Sequence, residues 1–434
     1  MPSQMSVTKS ILPNGIRVIS EYVPYVESVS VGVWIIAGAV DEDSNHRGIS
    51  HVMEHMLFKG TKKRSAWQIA DEMDSLGGHL NAFTDREYTC FYAKILKEHL
   101  EPTVDIISDM IMNSVIDATE LEREKNVVLE EVKQHEDTPD EKVHDLLYEN
   151  LWPNHVLGQS VIGTEEVISG LSRDTLLDYQ KQLYSSDSII ITASGNLSHR
   201  QLVELVSQRF HPQQSIRTPR LIQPVPHVGS VKLYHKDLEQ VQFCVGVNGF
   251  SQMDDSRYAL AAIDTVLGAG MSSRLFQEIR EKRGLAYSIG SYAMAYADAG
   301  IFCVYGGTNI ANLSEVLDII NTEMVSICNN SVTEAELTRA KNQIRGALVL
   351  GQESMSNRMS RLAKNEFYFN RMPRLDDAIA AINNLTVESV AQTASKLLSA
   401  NQLTITAIGP FAGKQKLLTA ALLKDVEILE TNND

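Results

Sequence analysis

The two halves of this chain repeat each other, and that duplication limits the possible folds more than any other feature. Leu171-Ser172-Arg173-Asp174-Thr175-Leu176 has a counterpart in Leu385-Thr386-Val387-Glu388-Ser389-Val390. The strand-like runs 189–195 and 403–409 match at the same offset, and the helical run 120–126 is mirrored by 336–342. A chain of 434 residues is also too long for one ordinary core, so two domains of about 200 residues are expected. Residues 211–228 contain Pro212, Pro219, Pro224 and Pro226 with few large apolar side chains, which marks a connection. The expected division is therefore 1–215, a linker at 216–228, and a homologous domain at 229–434.

Within each half, strand and helix signals alternate. Ser10-Ile11-Leu12 leads into Pro13-Asn14-Gly15, whose Asn-Gly pair suits a tight hairpin, with 16–20 as the returning strand. Residues 29–36 read as a more buried strand. Residues 62–76 read as an amphipathic helix with Trp67, Ile69, Ala70 and Met73 as its apolar set. Gly77-Gly78 ends that helix, and two β-rich runs follow. The stretch 97–134 is helical with a break near Asn113-Ser114, whereas 148–170 reads as loop with short elements. Helices are expected over 171–183 and 198–210, flanking the strand 188–195.

The chemistry concentrates in His51-Val52-Met53-Glu54-His55, inside the helical run 48–58. At about 100° per residue, positions four apart lie nearly in line, so His51 and His55 share a face and Glu54 projects beside them. Two imidazoles so placed can begin a Zn²⁺ site, and H-x-x-E-H is the inverzincin arrangement. With 12 His in the chain, two surface histidines four apart remain the plain alternative. Catalytic zinc usually takes three protein ligands. Downstream, 121–132 is a carboxylate-rich helical run in which Glu131 stands 76 positions after His55. Glu124 precedes Glu131 by two helical turns on the same face. An acidic helix without the histidine motif would be an ordinary solvated face, and Glu130 is read that way.

These two patches resemble the pitrilysin/insulysin/mitochondrial processing peptidase family, whose pattern is H-x-x-E-H followed about 76 residues later by a ligand Glu. The likeness covers essentially the whole chain and is nearest to the two-domain, bacterial-type members. It implies two homologous α+β domains, each an antiparallel-rich sheet covered by helices. It also implies one Zn²⁺ per chain held by His51, His55 and Glu131, with Glu54 as general base and Glu124 as a supporting carboxylate. In the family, G-G-x-x-N-A-x-T marks a strand that pairs with extended substrate, which here makes Asn81 and Ala82 the candidate contacts; an ordinary hairpin is the alternative. His79 is set aside as a ligand because three better ones are present.

Under the internal alignment Glu131 falls opposite Ala347 and Glu124 opposite Ala340, and the second half has no H-x-x-E-H. That half still carries Arg280 and Tyr287, seven apart, the spacing of a substrate-binding pair in the family. Such a pair could stabilise the oxyanion of the scissile carbonyl. Helix-terminal and strand residues with structural roles are the alternative. The resemblance thus implies a zinc metalloendopeptidase acting on peptides or unfolded segments, with Glu54 taking a proton from water and delivering it to the leaving amine. Two rivals are a non-catalytic partner subunit of a processing peptidase-like complex and a zinc hydrolase of other substrates. Because four-domain members enclose a chamber, a two-domain chain is expected to pair, as a homodimer or as a heterodimer with a homologous chain.

Composition limits the partners. A net charge of −16 argues against a general nucleic-acid binder and suits basic peptides. Cys90, Cys244, Cys303 and Cys328 are scattered without C-x-x-C spacing and read as reduced thiols in apolar elements. No apolar run approaches the roughly 18 residues of a membrane span, and the first residues lack an h-region or presequence, so a cytoplasmic location is expected.

Overall fold

A computed structural model describes residues 6–212, 220, 229–398, 403–413 and 427–430. Apart from Arg220, the expected linker 216–228 lies outside them. In chain order the elements are β1 (Ser6–Ile11), β2 (Arg17–Tyr22), β3 (Ser28–Ile35), α1 (Ile49–Leu57), α2 (Ala66–Ser75), β4 (His79–Thr84), β5 (Thr89–Leu96), α3 (Leu100–Asn113) and α4 (Ala118–Glu136). They continue with α5 (Pro139–Leu151), α6 (Glu165–Gly170), α7 (Arg173–Leu183), β6 (Ile189–Gly195), α8 (His199–Arg209), β7 (Val231–His235), β8 (Val241–Asn248) and α9 (Ser256–Leu267). The remainder are β9 (Ala286–Ala295), β10 (Gly300–Thr308), α10 (Leu313–Asn330), α11 (Glu334–Gly351), α12 (Met355–Phe369), α13 (Leu375–Asn383), α14 (Val387–Leu397), β11 (Thr404–Gly409) and β12 (Glu427–Glu430). A turn of π-helix, Phe276–Glu281, precedes β9.

The strands form two six-stranded sheets, ordered β1-β2-β6-β3-β5-β4 and β12-β7-β11-β8-β10-β9. Element for element, β2, β6, β3, β5 and β4 correspond to β7, β11, β8, β10 and β9, which is the duplication seen in the sequence. In the first sheet β2 and β6 are parallel and the other pairs antiparallel. The fold is the expected pair of similar α+β domains.

In one respect the units are not the contiguous halves expected. The first comprises 1–133, 159–221 and 349–372; the second comprises 134–158, 222–348 and 373–434. Each therefore takes one helix from the opposite half of the sequence, α12 in the first unit and α5 in the second. An apolar stripe tells that a helix covers a sheet, but not which of two similar sheets it covers. In the first unit Val31, Val33 and Ile35 point into the main core, while Trp34, Ile19 and Ile190 face Met359, Leu362 and Ala363 of α12. That double coverage explains why β3 and β6 are buried along nearly their whole length. The buried pair Arg358 Nη1–Glu21 Oε1 (2.6 Å) and the part-exposed pair Lys9 Nζ–Glu366 Oε2 (2.7 Å) add polar anchors for α12.

Two local readings also change. The expected helix 62–76 begins only at Ala66, capped by Ser65, and it buries Ile69 and Met73 while Trp67 is 70% exposed and Ala70 lies outside. The expected loop from Tyr148 is still helix as far as Leu151, because Val143, Leu147, Tyr148 and Leu151 form one buried stripe. No helix among the described residues is long and apolar enough to cross a membrane.

Candidate metal centre

Helix α1 is placed by its apolar side. Ile49, Val52, Met53, Met56 and Leu57 are buried in the main core of the first unit, each worth roughly 1.5–3 kcal/mol on burial. Packing therefore seats the helix, and His51, Glu54 and His55 are left on its other, half-buried side. The start is held by Glu42, whose carboxylate accepts hydrogen bonds from the backbone N–H groups of Gly48 (2.7 Å) and Ser50 (2.9 Å). Burial pushes the Glu42 carboxyl up to about 7, partly offset by those bonds. Gly48 has φ +88° and lies against Gly163, φ +79°; a Cβ on Gly48 would stand 2.8 Å from Gly163 Cα and 2.9 Å from the Ile162 carbonyl oxygen. Gly48→Ala is expected to lower stability by at least about 1–2 kcal/mol, the cost of a left-handed backbone alone, and to loosen the start of α1. A urea melt with an unchanged midpoint would show that this contact gives way freely.

Helix α4 supplies the carboxylates. Leu121, Glu124, Lys125 and Val128 are buried along one side, and Glu131 continues it toward α1. Glu131 Oε2 lies 3.6 Å from His51 Nε2 and 3.7 Å from His55 Nε2. These separations exceed a hydrogen bond. They are close to the roughly 3.3–3.5 Å between neighbouring ligands of a tetrahedral ion with bonds near 2.0–2.2 Å. The donor set, two imidazoles and one carboxylate within 4.8 Å of one another, fits zinc. Burial, then the neighbouring His55, holds the His51 imidazole down at about 4, so it is neutral and able to ligate at neutral pH. The Nδ1 edge of His55 faces Glu124 Oε2 at 3.2 Å, and Lys59 Nζ holds the other Glu124 oxygen at 2.7 Å. A carboxylate in this position could orient the imidazole if His55 binds a metal.

Glu54 stands apart from the ligand cluster. Thr84 Oγ1 donates to Glu54 Oε2 at 2.6 Å, and burial raises the Glu54 carboxyl above its ordinary value, against the lowering effect of that bond. Thr84 ends β4, the edge strand of the first sheet, on which Asn81 is exposed and Ala82 half-buried. Asn81 Oδ1 accepts from the Ala82 N–H at 2.8 Å.

Comparison with known proteins decides the family. Residues 17–165 match the model described as insulinase (peptidase family M16), and residues 170–344 match the M16 inactive domain. The chain belongs to the M16 peptidase family. It is 39% identical to the uncharacterized zinc protease YmxG of Bacillus subtilis, an alignment covering 89% of this chain and 94% of the relative. An uncharacterized zinc protease of Streptomyces coelicolor is 35% identical, with 94% and 91% covered. The crystal structure of a protease from Helicobacter pylori shares the fold with a TM-score of 0.88 at 21% identity, over 94% of this chain and all of that one.

In this M16 chain His51, Glu54, His55, Glu124 and Glu131 all lie in the first unit, and atoms of His51, His55 and Glu131 come within 4.8 Å of one another. Glu130 is solvated and pairs with Lys133 at 2.9 Å. Exposed His79 belongs to no metal-ligating group among the described residues. In α11 of the second unit, Ala340 and Ala347 replace the carboxylates, consistent with the inactive-domain match. Arg280 and Tyr287 belong to that unit and meet each other, the guanidinium 4.8 Å from the Tyr287 ring centre. Glu42, Lys59 and Thr84 were not foreseen as contributors. Thr84 falls inside the G-G-x-x-N-A-x-T stretch and could have been found there; Glu42 and Lys59 carry no local signature.

Proposed function

We propose that the chain is a zinc metalloendopeptidase that hydrolyses peptides or unfolded polypeptide segments. The observation that carries this reading is Glu54, a half-buried carboxylate one turn along α1 from His51, held by Thr84 Oγ1 at 2.6 Å and close to the His51, His55 and Glu131 group. His51, His55 and Glu131 would hold the ion, which when bound supplies Lewis acidity toward a peptide carbonyl and acidifies water. Glu54 takes a proton from the attacking water and returns it to the leaving amine, with Thr84 fixing the orientation of its carboxylate. Glu124, braced by Lys59, keeps His55 in the ligating orientation. The outer edge of β4 accepts the substrate backbone as an added strand, so binding is tolerant of sequence and requires an extended chain. Arg280 and Tyr287 keep the role of substrate contacts that the family resemblance implies.

Digestion of a mixed peptide library by the purified chain, read by mass spectrometry, tests the reading. Internal cleavages should appear, vanish with a chelator and return with zinc. Cleavage that persists in metal-free protein, or none in fully zinc-loaded protein, would overturn it.

A further inference from the structure

The face of the second unit's sheet that α5 covers carries two of the four cysteines. Cys244 lies on β8 and Cys303 on β10; the register pairs Cys303 with Gly246 and Cys244 with Tyr305. The two cysteines are therefore diagonal neighbours pointing the same way, and both are fully buried. Helix α5 lays His144 over them, with Nδ1 3.5 Å from Cys244 Sγ and 3.1 Å from Tyr292 Oη. One His144 nitrogen and the two sulfurs all lie within 4.8 Å of one another. We propose that His144, Cys244 and Cys303 form a second metal site, for a thiophilic d¹⁰ cation of the Cu(I) or Zn(II) type, distinct from the His51/His55/Glu131 centre.

The spacing suits an ion better than a disulfide. Diagonal partners on neighbouring strands hold their Cα atoms about 7–8 Å apart, beyond the roughly 4.4–6.8 Å that disulfides usually span. Two thiolates sharing one ion at about 2.3 Å need their sulfurs only about 4 Å apart. The donors also select the cation: two sulfurs and an imidazole, with no carboxylate among them, favour soft ions over Mg²⁺ or Ca²⁺. The imidazole is fixed by aromatic neighbours, with the Tyr292 and Tyr305 rings 5.4 and 5.2 Å from it. His144 also lines a cleft of about 480 Å³ together with Gln242, Tyr287 and Tyr305, the side from which an ion would reach it. A bound ion would tie α5 to strands that follow it by 100 residues or more, so binding would stabilise this unit.

The test uses the full chain carrying His51→Ala and His55→Ala, which removes competition from the first centre. Reduced protein is titrated with Cd²⁺ without oxygen. Thiolate-to-metal charge-transfer absorption should grow to one equivalent per chain, with a rise in the thermal midpoint. Adding Cys244→Ser and Cys303→Ser should abolish the band while the circular dichroism spectrum stays the same, and adding His144→Ala should weaken Cd²⁺ binding at least tenfold. Competition for Cu(I) against bicinchoninate, and for Zn²⁺ against a chelating dye, then separates the two natural cations. No band, or an equal band in the double-serine chain from Cys90 or Cys328, would overturn the site. If the double-serine chain fails to fold, X-ray absorption of the cadmium-loaded parent decides: two sulfurs per metal support the site, and one or none refutes it.

Discussion

Replacing Glu54 with Gln is expected to leave zinc content and fold intact while lowering peptide cleavage at least about 10²–10⁴-fold, the range for losing a general acid–base group. The substitution is close to isosteric, and Glu54 is not among the residues whose donor atoms converge on the metal position. Gln can still accept the Thr84 hydroxyl through its amide oxygen, so the site should keep its shape. What it cannot do is receive the proton from water. Parallel measurement of zinc by elemental analysis and of turnover on a library-derived peptide separates the two functions. A variant that turns over at the parent rate would end the proposed role of Glu54, and one that loses its zinc would make Glu54 a ligand instead.

Glu131→Gln should have the opposite signature, with metal and activity lost together. Glu131 Oε2 is the atom that both His51 and His55 face, at 3.6 and 3.7 Å. A neutral amide there removes the one charged donor of the set and leaves two imidazoles on a single helix. Even outer-shell partners of zinc ligands typically contribute 10–100-fold in affinity, so removing a ligand should exceed that range. Equilibrium dialysis against a zinc buffer gives the affinity directly. Unchanged affinity would strike Glu131 from the ligand set and turn attention to the other carboxylates of α4. Folding should be spared, because Glu131 is partly exposed and α1 is seated by Ile49, Val52, Met53, Met56 and Leu57.

Read alone, the sequence determined the duplicated α+β architecture and the helical placement of His51, Glu54 and His55, while the family resemblance singled out Glu124 and Glu131 in the acidic run 121–132. These are legible because helical and strand periods, and the spacing of residues along one helix, are properties of a short stretch of chain. The repeat added the loss of the carboxylates at Ala340 and Ala347 for the same reason. Tertiary structure alone decided the remaining features. It assigned α12 to the first sheet and α5 to the second, although each lies in the opposite half of the chain, because an apolar stripe does not name the surface it will cover. It brought Lys59 to Glu124 and Thr84 to Glu54. It also gathered His144, Cys244 and Cys303, which as separate letters read only as a helix residue and two buried thiols. Each of those contacts joins positions whose proximity depends on how whole elements pack, and packing at long range leaves no periodic mark in the sequence.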